Sequence, residues 1–222
     1  MAYNPRIHHR RSVRLAGFDY LQPGDYFVTI CTKNRVCIFG EVTNCDVQLS
    51  PVGEIVNQDW IAVPNHYSNV KLDAFRLMPN HIHGIVTIKE RTKTKIKDSK
   101  HQKGDKRPAH SLSSLVCSYK SGVTNRLHGA GYFPRKSIWQ SRFYDHIIRD
   151  DVSLYMIRQY IELNPLMWEF DMENPRAKGI TLLAFESILK EKHGISGQAL
   201  AMIMNSERML RLSWMKERSE IR

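Results

Sequence analysis

His81 and His83 stand two residues apart in Leu77-Met78-Pro79-Asn80-His81-Ile82-His83-Gly84-Ile85-Val86. Successive side chains of a strand leave on opposite faces, so the two imidazoles share one face while Ile82, Gly84, Val86 and Ile88 take the other. Two neutral imidazoles can hold a divalent cation and leave positions open, as a catalytic rather than a structural ion requires. A second pair lies further along the chain. Tyr160 and Asn164 are four residues apart, just ahead of Pro165, and on a helix they face the same way. Tyr155 would lie about 140° around that helix from Tyr160, so only one tyrosine accompanies Asn164. An amide oxygen suits Mg²⁺ or Mn²⁺ as a third ligand, and a phenol beside the ion could attack a phosphorus polarised by it. Singly, each residue also fits a plainer role: the histidines as strand filling, Tyr160 as a core or rim aromatic, Asn164 as the helix end set by Pro165.

The elements that must position these groups can be traced in order. Tyr26-Phe27-Val28-Thr29-Ile30-Cys31-Thr32 follows the turn signal Pro23-Gly24-Asp25 and reads as a first strand. Val52, Ile55, Val56, Trp60 and Ile61 recur at helical intervals within about 50–63, with Pro51 near the start. Residues 70–78 and 81–88 read as two strands, or one strand bent at Pro79-Asn80. Residues 89–110 are almost without apolar content and read as a mobile loop. A second helix over 111–127 carries Leu112, Leu115, Val116, Tyr119, Val123 and Leu127 on one stripe, with Ser111 as its cap. Residues 137–148 suit a strand and its approach, and Asp150 or Asp151 could cap a third helix running to about Asn164. Asp145, Asp150 and Asp151 are read as turn and cap residues rather than ligands.

This order of elements predicts an α+β fold, a ferredoxin-like antiparallel sheet with helices on one face. Residues 1–175 form the expected domain, with a basic arm over 1–14 and a basic loop over 89–110, and 176–222 form a C-terminal helical extension.

Composition narrows the class of partner. The 222 residues carry a net charge of +11. Residues 1–14 hold Arg6, Arg10, Arg11 and Arg14 and no acid, and residues 89–107 hold nine Lys or Arg, Lys93, Lys95 and Lys97 among them, against three acids. Positive charge gathered in two polar segments points to a polyanion, with nucleic acid as the natural partner. The four cysteines form no CxxC pair and read as buried free thiols rather than a disulfide or zinc framework. No apolar stretch is long enough to span a membrane, and no secretory run opens the sequence, so a cytoplasmic protein is expected.

With these residues in view, the chain resembles a known family. Leu77-Met78-Pro79-Asn80-His81-Ile82-His83 looks like the histidine-hydrophobe-histidine motif of single-tyrosine HUH transposases. Tyr160-Ile161-Glu162-Leu163-Asn164-Pro165 looks like the tyrosine helix of their REP-associated branch. Arg10-Arg11-Ser12-Val13-Arg14-Leu15, the strand 26–32 and Ile138-Trp139-Gln140-Ser141-Arg142-Phe143-Tyr144-Asp145-His146 are similar to that branch in the same order.

The resemblance covers about residues 10–170 and implies roles. His81, His83 and Asn164 would bind Mg²⁺ or Mn²⁺, Tyr160 would be the nucleophile, and the substrate would be single-stranded hairpin-forming DNA. It implies a nicking and strand-transfer enzyme that passes through a 5′-phosphotyrosine intermediate. The arm and loop cations named above would hold the DNA backbone. Two other readings stay open: a domesticated hairpin-binding protein with little or no turnover, and an RNA-binding module with incidental histidines. A single tyrosine per chain is compatible with a monomer or a homodimer.

Overall fold

The computed structural model describes residues 22–90, 111–134, 136–171 and 173–177, together with scattered positions between 186 and 201. Its elements are β1 (Gly24–Cys31), β2 (Gly40–Thr43), β3 (Asp46–Leu49), α1 (Pro51–Ile61), the short α2 (Val63–His66), β4 (Val70–Met78), β5 (His81–Ile88), α3 (Leu112–Gly129), β6 (Tyr144–Ile148) and α4 (Asp151–Leu163). Single 3₁₀ turns occupy Lys33–Arg35 and Trp168–Phe170.

Four strands make one antiparallel sheet in the order β4-β5-β1-β6. With the intervening helices, this is the expected ferredoxin-like α+β arrangement. Residues 70–78 and 81–88 are two strands joined by a tight turn at Pro79-Asn80. The helices begin where their caps place them. Ser50 Oγ accepts from the Gly53 amide at 3.0 Å, Ser111 Oγ from Ser114 at 3.2 Å, and Asp150 Oδ1 from Ser153 at 2.8 Å. Each bond satisfies one amide that a first helical turn leaves without a partner.

Strand alternation divides the core. Tyr26, Val28, Ile30, Ile82, Val86 and Ile88 join Val52, Val56 and Trp60 of α1 and the apolar stripe of α3 in the larger cluster. Phe27, Ile85 and Ile148 face the other way and pack with Ile157, Tyr160 and Ile161 of α4. Both sheet faces are therefore covered, α1 and α3 lying on the expected one and α4 on the opposite. Gly84 faces α1. A Cβ there would sit 2.7 Å from Trp60 Cζ2, so the absence of a side chain lets the indole lie directly on the histidine strand.

On β4 a bulge falls between Leu72 and Phe75. Asp73 within it accepts a two-pronged pair of hydrogen bonds from Arg158 of α4, at 2.8 and 2.6 Å. A bulge redirects side chains in this way, and here it fastens α4 to the sheet edge.

Asp145, expected in a turn, is buried within β6, and not all the cysteines are the buried thiols expected. Cys31 is buried, but Cys37 and Cys45 are exposed, because they lie in the connection to β2 and in the β2-β3 turn rather than in the core. The loop expected over 89–110 falls, beyond Glu90, outside the described residues, as does nearly all of the expected 176–222 extension. Among the described residues, no helix is long and apolar enough to cross a membrane.

Candidate metal centre

His81 and His83 are completely buried, with ring centroids 4.3 Å apart. They project together from β5 toward the α4 side, as the strand period requires. Burial holds His83 down to about 3 and, with the neighbouring imidazole and Arg35, holds His81 well below the ordinary histidine range. Both rings are thus neutral at physiological pH and keep a nitrogen lone pair.

The tautomer of His81 follows from its neighbours. Asn80 Nδ2 donates to the carbonyls of Arg35 at 2.9 Å and of Glu173 at 2.7 Å. The amide orientation is fixed by those two acceptors, so Asn80 Oδ1, 2.8 Å from His81 Nδ1, must accept. His81 Nδ1 therefore carries the proton and Nε2 offers its lone pair. Nε2 has no hydrogen-bond partner among the described residues and lies 3.6 Å from Asp171 Oδ2. The His81 lone pair and the Asp171 carboxylate thus face one gap, where a cation could be held by both.

Asp171 is brought there by chain reversal. Beyond α4 the chain turns through Trp168–Phe170 and returns over the histidines, with the Trp168 ring 6.1 Å from that of His81. Glu173 anchors the return. Its carboxylate accepts from Arg35 Nε at 2.7 Å and Nη2 at 3.3 Å, and Cys31 Sγ donates to it at 3.4 Å. Burial, and then the Glu173 charge, push the Cys31 thiol up, so it remains protonated. His81, His83 and Asp171 each offer one ligand atom within 4.8 Å of the others, and all three are buried. Two imidazoles and a carboxylate are a donor set suited to a divalent ion of the Mn²⁺, Fe²⁺ or Zn²⁺ kind.

Tyr160 meets this cluster from α4. Its hydroxyl is 3.2 Å from His83 Nε2, and Thr29 Oγ1 is 2.9 Å from His83 Nδ1. Phe27 stacks on His83 at 5.3 Å and meets Tyr160 edge-on at 6.1 Å, closing an aromatic wall around the contact. Asn164 caps the C-terminus of α4, is 1% exposed, and its Oδ1 has no hydrogen-bond partner among the described residues.

The structure thus brings together His81, His83 and Tyr160 and buries Asn164 at the end of the tyrosine helix. Sequence reasoning missed Asp171, Asn80, Thr29 and Arg35. For Asp171 the available signal was an acid enclosed by apolar residues, Phe170-Asp171-Met172, soon after Pro165. Asp150 serves as the helix cap and Asp151 lies exposed in the first turn. Arg6, Arg10, Arg11, Arg14, Lys93, Lys95 and Lys97 lie outside the described residues.

No protein-family model matches the chain. A protein of Haemophilus influenzae (strain ATCC 51907 / DSM 11121 / KW20 / Rd), described as uncharacterized, is 40% identical over 178 residues, which is 76% of this chain and 95% of that protein. Among solved structures, a REP-associated tyrosine transposase bound to a REP hairpin is similar at 22% identity and TM-score 0.46, covering 69% of this chain and 73% of that one. A presumptive transposase from Deinococcus radiodurans R1 is similar at 16% identity and TM-score 0.39, covering 67% of this chain and 95% of that one.

Proposed function

We propose that this chain, which belongs to one family with the Haemophilus influenzae protein, is a metal-dependent single-stranded DNA endonuclease and strand transferase of the HUH tyrosine transposase kind. The observation that carries the reading is the 3.2 Å approach of the Tyr160 hydroxyl to His83 within the buried cluster of His81, His83 and Asp171. A phenol beside a cation site is the equipment of phosphoryl transfer to tyrosine. Hairpin-forming DNA is the proposed substrate, in keeping with the sequence motifs and the basic arm and loop.

His81, His83 and Asp171 would hold Mg²⁺ or Mn²⁺, with the Asn164 amide as a further oxygen donor; when bound, the ion would polarise a non-bridging oxygen of the scissile phosphate. Imidazole donors favour Mn²⁺ over Mg²⁺ in affinity. Tyr160 supplies the nucleophile. Its oxygen forms a bond to phosphorus while the bond from phosphorus to the 3′ oxygen breaks; the phenol gives up its proton and the departing 3′ oxygen gains one. The 5′-phosphotyrosine keeps the phosphodiester energy, so a 3′-hydroxyl can attack it and rejoin a strand with no other energy source. Asn80 holds His81 in the required tautomer, and Phe27 keeps the His83-Tyr160 pair away from water.

The test is covalent trapping. Protein is incubated with labelled hairpin oligonucleotides and Mn²⁺ or Mg²⁺ and then denatured, with Tyr160→Phe alongside. A metal-dependent adduct that Tyr160→Phe abolishes is the expected result. The second reading, a hairpin-binding protein with little or no turnover, draws on the burial of Tyr160, only 6% exposed. Tight, salt-dependent binding with no adduct under either metal would establish it in place of the first.

A further inference from the structure

We propose that the cleft between the Lys33–Arg35 turn and residues 137–142 is the channel that takes the single strand running to or from the scissile phosphate. The proposal rests on the reading of the histidine-tyrosine centre as a DNA-cutting site and adds to it the place where the unpaired strand lies.

The cleft has a volume of about 740 Å³. Lys33 and Arg142 line it together with Arg35, whose guanidinium is paired with Glu173, and with Asn34, Trp139, Gln140 and serine hydroxyls; among the described residues no acid lines it directly. Cations to hold phosphates and amides able to meet base edges are the two kinds of contact a single strand uses. The wall is built to receive negative charge. Lys120 Nζ donates to the carbonyls of Gln140 and Arg142, both at 2.9 Å, so two backbone oxygens that would repel a phosphate are already engaged. Asn34 and Arg35 hold left-handed backbone at φ 57° and 56°. Two consecutive non-glycine residues in that region are strained, and such strain persists where the surrounding structure imposes it, most often at binding sites.

The cleft adjoins the histidine strand through the backbone that forms its walls. Cys31, the last residue of β1, pairs with His81, and the chain passes directly into the Lys33–Arg35 turn. The opposite wall is hydrogen-bonded onto this extension, from Lys33 N to Ile138 O at 2.7 Å and from Gln140 N to Cys31 O at 3.0 Å. Arg35 also joins the two sites chemically, since its carbonyl accepts from the Asn80 amide that orients His81. A strand in the cleft would therefore run along the chain segment that leads to the histidine strand.

The experiment compares the full chain with a Lys33→Ala/Arg142→Ala double variant by fluorescence anisotropy across a salt series. Two labelled DNAs are used, one a hairpin with a single-stranded extension and one the same hairpin with a blunt end. The variant is expected to bind the extended hairpin about tenfold more weakly, with the slope of log K against log salt reduced by about 0.7 for each phosphate left without its cation. Binding of the blunt hairpin is expected to be unchanged. Equal affinity and slope for the extended hairpin, or equal losses on both DNAs, would overturn the proposal. The covalent adduct at saturating DNA is scored in parallel. Wild-type protein that forms no adduct but passes the salt-slope comparison removes the cutting reading alone; a retained adduct with an unchanged slope removes the cleft alone.

Discussion

The Tyr160 hydroxyl stands over one nitrogen of the His83 ring: the phenol lies 3.2 Å from Nε2, while Thr29 Oγ1 lies 2.9 Å from Nδ1. A cation bound through His83 Nε2 must displace the phenol from it. On the proposed function, cation binding and release of the Tyr160 phenol from His83 would be one event. A net hydrogen bond of about 1 kcal/mol corresponds to about fivefold in affinity. We expect Tyr160→Phe to bind Mn²⁺ about fivefold more tightly by titration calorimetry. Unchanged or weaker binding would show that Nε2 is not the ligand atom.

Asp171 faces His81 across a 3.6 Å gap, whereas Asn164 is an uncharged donor at the end of α4. If the carboxylate is the principal oxygen ligand, Asp171→Asn should weaken Mn²⁺ binding by about tenfold or more, and Asn164→Ala by less. The reverse ranking in the same titration would reassign the third ligand to Asn164.

Asn80 satisfies two carbonyls and His81 with one side chain. Its removal leaves buried acceptors without donors, each costing about 1–3 kcal/mol. Asn80→Ala is expected to lower unfolding free energy in urea by at least ~2 kcal/mol and to weaken metal binding as the His81 tautomer is freed. A stability within error of wild type would mean water replaces the amide.

A Cβ at Gly84 would meet the Trp60 indole at 2.7 Å. Overpacking of this kind costs about 1–3 kcal/mol. Gly84→Ala should melt earlier than wild type, and the added Trp60→Phe should recover part of the loss. Two additive losses would exclude the contact as the cause.

Lys120 is held down to about 8 by burial, against about 10.4 in an unfolded chain. Between those values the unfolded state binds more protons than the folded one, so stability rises with pH across that window; below it, the full cost of burying the charge is present. Urea unfolding at pH 7.5 and 9.5 should show this gain in wild type and lack it in Lys120→Met. An equal gain in both proteins would assign it to other groups.

Much of the site was legible because it obeys local periods. The strand repeat alone places His81 and His83 on one face, and the helix repeat keeps Tyr160 with Asn164. The opposite sheet face was harder to read. Its apolar residues, Phe27 and Ile85, alternate with Thr29, Cys31 and His83, so the face looks polar in sequence although Ile157, Tyr160 and Ile161 cover it. The β2-β3 hairpin also went unseen. Its strands are four residues each, and its turn uses Asn44 and Cys45 at φ 53° and 61°, where glycine would have signalled the geometry. Asp171 reaches His81 only because the chain doubles back after α4, and no local pattern encodes that reversal.

The division of apolar packing into two clusters has a consequence for how the molecule can fail. The larger body of sheet, α1 and α3 is complete without Tyr160, which belongs to the smaller cluster against α4. The proposed nucleophile and the larger core therefore rest on different apolar clusters. Under the proposed function, a lesion confined to the α4 side would silence the chemistry at the expense of that smaller cluster, and leave standing a scaffold that could hold a strand without cutting it.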